Sequence, residues 1–515
     1  MNKRIISQAV AYAMLTAAGT AQAVTFETEH VKGTFITTVF SGLQYSLEKT
    51  DPTLNTNAGG AVVSPNKGNY ANNSVPSASV RGIHELDLEF DNEWAIFARG
   101  TWVKDFEMGD TKSPLHPDAQ DAADDNIRIL DLFVEKGYEI GDQFGRVRVG
   151  NQVLNWGESL FHFGGINYAT NPVDIQSAVL PGGQIKEILI PVPMITVNQG
   201  LTDELSVEAY YQFKHEGHRF LPAGTYWSTS DLLGPGNILT DNDALGTVGV
   251  EDEPDSAQYG FTLQFQGEDS STAYGFYYAR YNEKFPWVRW STTPSANALG
   301  FDANLTYGEG IDMFAVSMNT DVGEWAVGAE LAYRPNDVIA LDPFGSCYGT
   351  GTCLRKQKRW STDVTAINLL TPNGPMGWLL NAAGGDSGIF MVDVAASYVP
   401  GLKADDTDVK VALDSSKSLS WGYAVEANVA YEGSLIPGWT VTPGVFFRHN
   451  VSGSSHELLG WWRNEAKEAN VYLNFVDQDD LTMSLQYLAY WGGKPERVVD
   501  NRDKDVIAFT ISKTF

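Results

Sequence analysis

The chain has 515 residues, with 64 acidic and 35 basic side chains and a formal net charge of −29. A hydrophobic fraction of 43 % and an aromatic fraction of 12 % exclude a disordered chain, a collagen and a coiled coil. The negative charge excludes nucleic acid as a partner, because phosphate binding needs a concentrated positive field.

The N-terminus carries Lys3 and Arg4, then a mostly apolar run from Ile5 to Ala18. Ala21-Gln22-Ala23 follows, the small-x-small pattern of a cleavage site. Residues 1–23 are therefore expected to be a bacterial signal peptide; a short amphipathic helix is the lesser reading. No Cys follows the cleavage site, so a lipoprotein is not expected. Past this segment no apolar run reaches the roughly 18 residues that a membrane helix needs.

What recurs instead is alternation with a period of two, in segments of about ten residues bounded by turn residues. Val80, Gly82, Leu86, Leu88 and Phe90 share one parity, and Arg81, Glu85, Asp87 and Glu89 share the other. Asp91-Asn92-Glu93 reads as a tight turn, after which Trp94, Ile96, Ala98, Gly100 and Trp102 resume the pattern. Similar segments are expected at 127–136, 145–155, 205–213, 257–267, 272–282, 311–320 and 324–334. Four more follow at 419–432, 439–449, 465–476 and 480–492, and a weaker one at 357–370. Short turns alternate with long polar connections at 48–79, 107–126, 215–256 and 335–356. Long structureless loops count against a compact water-soluble domain and are expected of an outer-membrane barrel.

The stretch 150–200 breaks the pattern. Asn171-Pro172-Val173-Asp174 predicts a helix start, with Asn171 as N-cap and Pro172 at the first helical position. Pro181-Gly182-Gly183 ends that helix. A segment this structured between two strands reads as a loop folded into the barrel, over residues 156–187, as a constriction or plug. An outer surface loop carrying a helix is the alternative. Its chemistry-bearing residues are Asn155, Trp156, Glu158, Asn171, Asp174, Lys186 and Glu187. The charged ones need partners if they face inward, and Arg146 and Arg148 are the expected partners of the carboxylates.

Further along, Cys347 and Cys353 are the two cysteines, set in a Gly-rich stretch. In an oxidising compartment such neighbours are expected to form a disulfide staple. The final residues alternate again: Ile507, Phe509, Ile511 and Phe515 share one face. A closing strand that ends in Phe resembles the signal read by the barrel-assembly machinery.

These elements predict an all-β fold, a transmembrane antiparallel β-barrel spanning 24–515. Both termini on one side require an even strand count; roughly 18 strands are expected, with 14 or 16 if some segments are loop hairpins. Lipid requires the apolar parity to face outward, leaving the charged parity for the lumen. Opposed rows of Arg81, Arg99, Arg146 and Arg148 against Glu85, Asp87, Glu89, Asp131 and Glu135 would order water and filter solutes. The same rows would serve equally as a cross-strand ion-pair network. Trp94, Trp102, Trp287, Trp290, Trp439 and Trp491 are expected near strand ends, in interfacial belts.

Catalytic signatures are missing. Gly385-Asp386-Ser387-Gly388 echoes a protease nucleophile segment, but Ile389-Phe390 follows and no supporting His motif is evident. No Gly-x-Ser-x-Gly, His-Glu-x-x-His or Gly-x-x-x-x-Gly-Lys occurs. An enzyme is not expected, nor a cofactor or dedicated metal site; acidic groups such as Asp118, Asp121, Asp124 and Asp125 read as solvated loops.

Several ordered motifs carry a family resemblance. Val149-Gly150-Asn151-Gln152, Asn155-Trp156-Gly157-Glu158-Ser159, Gly165-Ile166-Asn167, Asn171-Pro172-Val173-Asp174 and Lys186-Glu187 resemble the signature of a proteobacterial family catalogued as domain of unknown function 1302. The resemblance continues through Gly200-Leu201-Thr202-Asp203 and His449-Asn450-Val451-Ser452-Gly453 to Asp503-Lys504-Asp505-Val506. It covers nearly the whole mature chain. Asn151 stands where the family usually has Arg, and Lys504 lies within what is usually an acidic-Arg-acidic run. The resemblance implies a porin-like barrel in the outer membrane of Gram-negative bacteria. It also implies partnership with a periplasmic protein resembling lipoprotein carriers and an inner-membrane exporter of the resistance-nodulation-division type. The function expected is a channel or transporter for a small amphipathic, hydrophobic or lipid-like molecule. The alternative is a plugged barrel that serves as a structural or assembly component without transport.

Overall fold

Alternating strands with one wholly apolar face can meet lipid only if every backbone group is paired within the sheet, which requires the sheet to close. It does. The computed structural model describes residues 23–49, 51, 69–162, 164–228, 233–236, 249–290, 303–341, 347, 353–403, 406–407, 417–454, 462–493 and 501–515. The expected signal peptide, Ala23 apart, lies outside these residues. The first six barrel strands are β1 (Val31–Ser46), β2 (Ser77–Phe90), β3 (Trp94–Asp105), β4 (Asp125–Ile140), β5 (Gln143–Gln152) and β6 (Val192–Gly200). Next come β7 (Leu205–Gln212), β8 (Gln258–Gln266), β9 (Ala273–Tyr281), β10 (Ile311–Val322), β11 (Trp325–Ala340) and β12 (Leu354–Leu370). The last six are β13 (Ser387–Tyr398), β14 (Leu419–Glu432), β15 (Trp439–Ser452), β16 (Ala466–Asp477), β17 (Leu481–Gly492) and β18 (Val506–Thr514).

Each strand runs antiparallel to the next, and β18 returns to β1 with Thr38 opposite Thr514 and Ser46 opposite Val506. The ring therefore holds eighteen strands, with the short arm Val24–Glu27 paired alone to the start of β1. This is the upper end of the expected range. The weak segment at 357–370 is a full strand, β12, hydrogen-bonded to both neighbours.

The outer wall is apolar. Phe261, Phe276, Phe314, Leu331, Val364 and Val394 are exposed, while Thr262, Tyr277, Ala315, Glu330, Asp363 and Asp393 beside them are buried. With no water in a bilayer to satisfy polar groups, this face suits lipid. The barrel resides in the outer membrane. Trp94 and Trp439 open β3 and β15, and Trp491 lies one residue from the end of β17, as interfacial anchors should. Trp102 differs: it lies across Gly82 on the neighbouring strand, and its indole N–H donates to His84 Nε2 at 3.0 Å. Trp287 and Trp290 belong to no barrel strand. They bound a four-residue strand of a separate small sheet with Ala303–Thr306 and Gly249–Asp252.

Long connections gather at one end and short turns at the other, except that residues 371–386, with a helix at Gly377–Ala383, join β12 to β13 at the turn end. Two of the turns need a left-handed residue, supplied by Gly141 and Gly323 at φ 65°. Two long connections hold more structure than their polarity suggests. Within 106–124, His116 caps the helix Pro117–Asp124 (α1), accepting from the Asp118 N–H with Pro117 in the first turn. The expected loop at 335–356 is shorter, because β11 and β12 stay paired to Ala340 opposite Leu354. Arg359 and Asp337, both buried, form an ion pair that holds this extension together. Just beyond it Cys347 and Cys353 are joined, with Cα atoms 5.3 Å apart.

Candidate functional site

Between β5 and β6 the chain leaves the sheet over residues 153–191. Its start is tied to its middle: Asn171 accepts from the Leu154 N–H at 3.2 Å and donates back to the Leu154 carbonyl at 2.5 Å. Asn171 is thus a tie and not the predicted helix cap. The helix, Ile175–Val179 (α2), starts later, and Asp174 caps it by accepting from the Ser177 N–H at 3.0 Å. The reason is chemical: Asn171 is already committed to Leu154, and the carboxylate makes the stronger acceptor for a buried helix N-terminus. A second short helix, Ile185–Ile188 (α3), follows.

One half of the segment lies against β7 to β13. Trp156 is buried, donates to Glu208 at 2.8 Å, and packs on Tyr210 and Tyr277 with ring centres 5.1 and 5.6 Å away. Glu330 of β11 accepts from two backbone groups of the segment, Glu158 N–H at 2.7 Å and Ile166 N–H at 2.9 Å. Gly157 and Gly165 make this grip fit, since a Cβ at either would overlap the Glu330 carboxylate. Arg334 donates to the Gly165 carbonyl at 2.5 Å. The Glu158 side chain turns to β10 and accepts from Asn319 at 2.9 Å. At the tip, Asp393 accepts from the Leu160 and Phe161 N–H groups at 3.1 and 2.7 Å and from His162 at 2.6 Å. Asn155 is exposed.

The other half lies against β1 to β4. Asp174 is fully buried between Arg128 and Arg219, the latter at 3.2 Å. Glu187 pairs with Arg81 at 2.8 Å, both nearly water-free, and accepts from Thr101 at 3.2 Å. Lys186 pairs with Glu85. Gln44 of β1 donates to the Val179 carbonyl at 2.7 Å. Removing either member of a buried pair such as Arg81–Glu187 leaves an uncompensated charge, so each is strongly position-specific.

The expected partners of the carboxylates are therefore corrected. Arg146 and Arg148 both turn to Glu135, at 3.0 and 2.8 Å, because that carboxylate sits on the adjacent strand at the same level. Arg99 bridges Glu85 and Asp131 at 2.9 and 2.6 Å. Asp87 and Glu89 stay exposed and form no ion pair among the described residues. The charge rows thus split into a paired belt and an acidic inner end.

The wall opposite Trp156 also departs from a purely polar lining. Leu154, Trp156, Ile166, Tyr168 and Ala169 form one apolar core with Met194, Tyr210, Tyr277, Met313, Ala315 and Ala332. The segment and the strand faces it covers shield one another, so apolar residues are stable on both parities there. Beside this core a cavity of about 320 Å³ is lined by Arg146, Arg148, Gln152, Leu154, Asn198 and Glu208, among others. Toward the long loops, Tyr168 hydrogen-bonds to Glu283, and Lys284 donates to the Ala169 carbonyl at 3.0 Å.

Sequence reading missed Arg128, Glu208, Arg219, Glu330, Arg334, Asp363 and Asp393. Most lie on the buried parity of a strand, a signal that was present. Their contacts with the segment span 45 to 233 positions, which no local pattern encodes.

The family model described as "Protein of unknown function (DUF1302)" matches residues 4–515. The chain belongs to this family. Among solved structures it is similar to OpdK of Pseudomonas aeruginosa, crystallised with vanillate, at 11 % identity and a TM-score of 0.44. That likeness covers 93 % of this chain and 98 % of OpdK. It is similar to OccAB4 of Acinetobacter baumannii at 11 % identity and a TM-score of 0.47, covering 95 % and 98 % of the two chains. Among curated proteins none matches the chain.

Proposed function

We propose that this DUF1302 barrel is an outer-membrane channel whose bore is set by the segment 156–187 folded into the lumen, and that it passes a small amphipathic, hydrophobic or lipid-like molecule. The observation that carries the reading is the spread of the segment's partners. They run from Gln44 of β1 through Arg81, Thr101, Arg128, Glu208, Ser317 and Glu330 to Asp393 of β13, on the buried parity throughout. A loop lying on the outer surface has no route to inward-facing side chains on that many strands at once. The cavity walled by Arg146, Arg148, Leu154 and Glu208 combines charged and apolar groups, which suits an amphipathic solute. A periplasmic carrier-like protein and an inner-membrane exporter would hand the molecule to or from the barrel.

The test is single-channel conductance in planar bilayers after replacing 160–185 with a short Gly-Ser linker. Conductance is expected to rise several-fold, with uptake of a hydrophobic dye by cells rising in parallel. Glu158→Ala, which frees the segment from Asn319, should give a smaller rise. Unchanged conductance in an assembled deletion barrel would place the segment on the surface. A rise in conductance without dye uptake would favour the plugged structural barrel.

A further inference from the structure

We infer that His162, Asp363 and Asp393 form a binding site for a single divalent transition-metal ion, zinc foremost, that pins the tip of the 153–191 segment to β12 and β13. The ligating atoms of the three side chains all lie within 4.8 Å of one another. The three residues come from separate places in the chain and are 6 %, 2 % and 0 % exposed. His162 Nδ1 lies 2.6 Å from Asp393 Oδ1 and 3.9 Å from Asp363 Oδ2.

Two carboxylates thus face one imidazole, and no lysine or arginine forms an ion pair with either among the described residues. The cluster is neutral only if it holds two protons, one making the imidazole cationic and one on a carboxyl, or a single divalent cation in their place. Asp363 Oδ1 has no hydrogen-bond partner. A free acceptor in so buried a cluster suits the cation. One imidazole and two carboxylate oxygens match the ligand set that zinc accepts, with a further position left for water. The surroundings already orient the ligands. Ser159 donates to Asp363 at 3.1 Å, Leu160 and Phe161 donate to Asp393, and Trp462 stacks on the His162 ring at 5.1 Å. Binding would release to solvent the protons that keep the cluster neutral, joining loop to wall through the ion.

Because the site is buried, loading belongs to folding or to opening of the tip. The experiment therefore refolds the full mature chain into detergent with zinc, removes free metal by desalting, and measures zinc by mass spectrometry. About one zinc per chain is expected for the wild type, and background levels for His162→Ala and Asp363→Asn. Heat-modifiable gel migration verifies that each variant is a closed barrel; Asp363→Asn keeps the shape of the side chain and guards against loss of fold. Background zinc in the wild type, or equal zinc in wild type and folded variants, would overturn the inference. Metal content is read without any conductance measurement, so a failure here is separable from a failure of the channel reading.

Discussion

Arg81 and Glu187 meet at 2.8 Å with almost no solvent on either side chain, and Arg81 also covers the Phe40 ring at 4.4 Å. Arg81→Ala would leave Glu187 with Thr101 alone, at a cost of about 3–5 kcal/mol. The double variant Arg81→Ala/Glu187→Ala should lose less than the sum of the single changes. Denaturant unfolding of the detergent-solubilised barrel checks this, and strict additivity would refute the coupling. A second pair acts through protons. In the long connection after β7, burial and then nearby Lys284 push His215 and His218 down to about 3. Their folded values lie below the unfolded value of about 6.5, so the unfolded segment binds more protons than the folded one between those limits. Stability is full above about pH 6.5 and falls as the pH drops toward 3. Hydrogen-exchange protection of residues 213–228, corrected for the intrinsic rate at each pH, should therefore be at least several-fold lower at pH 4.5 than at pH 7.5. His218→Asn, which keeps an acceptor for the Val173 N–H, should flatten that dependence.

At the scale of elements, the β11–β12 hairpin extends past the apolar belt and is closed by the Cys347–Cys353 link, six residues apart. The Leu341 N–H donates to the Cys353 carbonyl at 2.9 Å, so the staple continues the ladder. Alkylation of the unreduced, unfolded chain should find no free thiol. Closing so short a loop contributes about 2 kcal/mol to the hairpin at most. Cys347→Ser/Cys353→Ser should therefore speed proteolysis at this loop and leave barrel assembly intact. The 153–191 segment behaves differently. Its helices α2 and α3 have five and four residues, too few to be stable alone. They persist because Asp174, Glu187 and Gln176 are fastened to the wall and to the Ala122 carbonyl of α1. Changes at those wall residues should unravel the segment more than changes within its helices.

For the whole molecule, closure is the decisive event. Phe515 exchanges two backbone hydrogen bonds with Thr37, at 2.7 and 2.9 Å, at the seam where the last strand meets the first. Deleting Phe515 removes the final rung and the residue at the expected assembly signal. Outer-membrane levels of heat-modifiable barrel should fall several-fold, while synthesis and export stay unchanged. Wild-type levels of assembled barrel would show that the seam closes without it.

The amino-acid sequence by itself determined most of the strands, their facing and the closed antiparallel architecture, because period-two alternation and backbone satisfaction in lipid are local requirements; it did not single out β1, β6 or β13. It also marked a break in the pattern at 150–200, since Pro, Gly and Asn clusters interrupt a strand; the structure narrows that break to 153–191, because Val192–Gly200 forms β6. The tertiary structure decided everything that depends on who meets whom. Glu330 accepts from the Glu158 and Ile166 N–H groups across 172 and 164 residues, and Asp393 meets His162 across 231. Arg146 and Arg148 turned to Glu135 because strand register places that carboxylate beside them, a fact set by pairing and not by composition. Local alternation says which way a side chain points; only closure of the ring and the contacts of the segment with its strands say what each side chain meets.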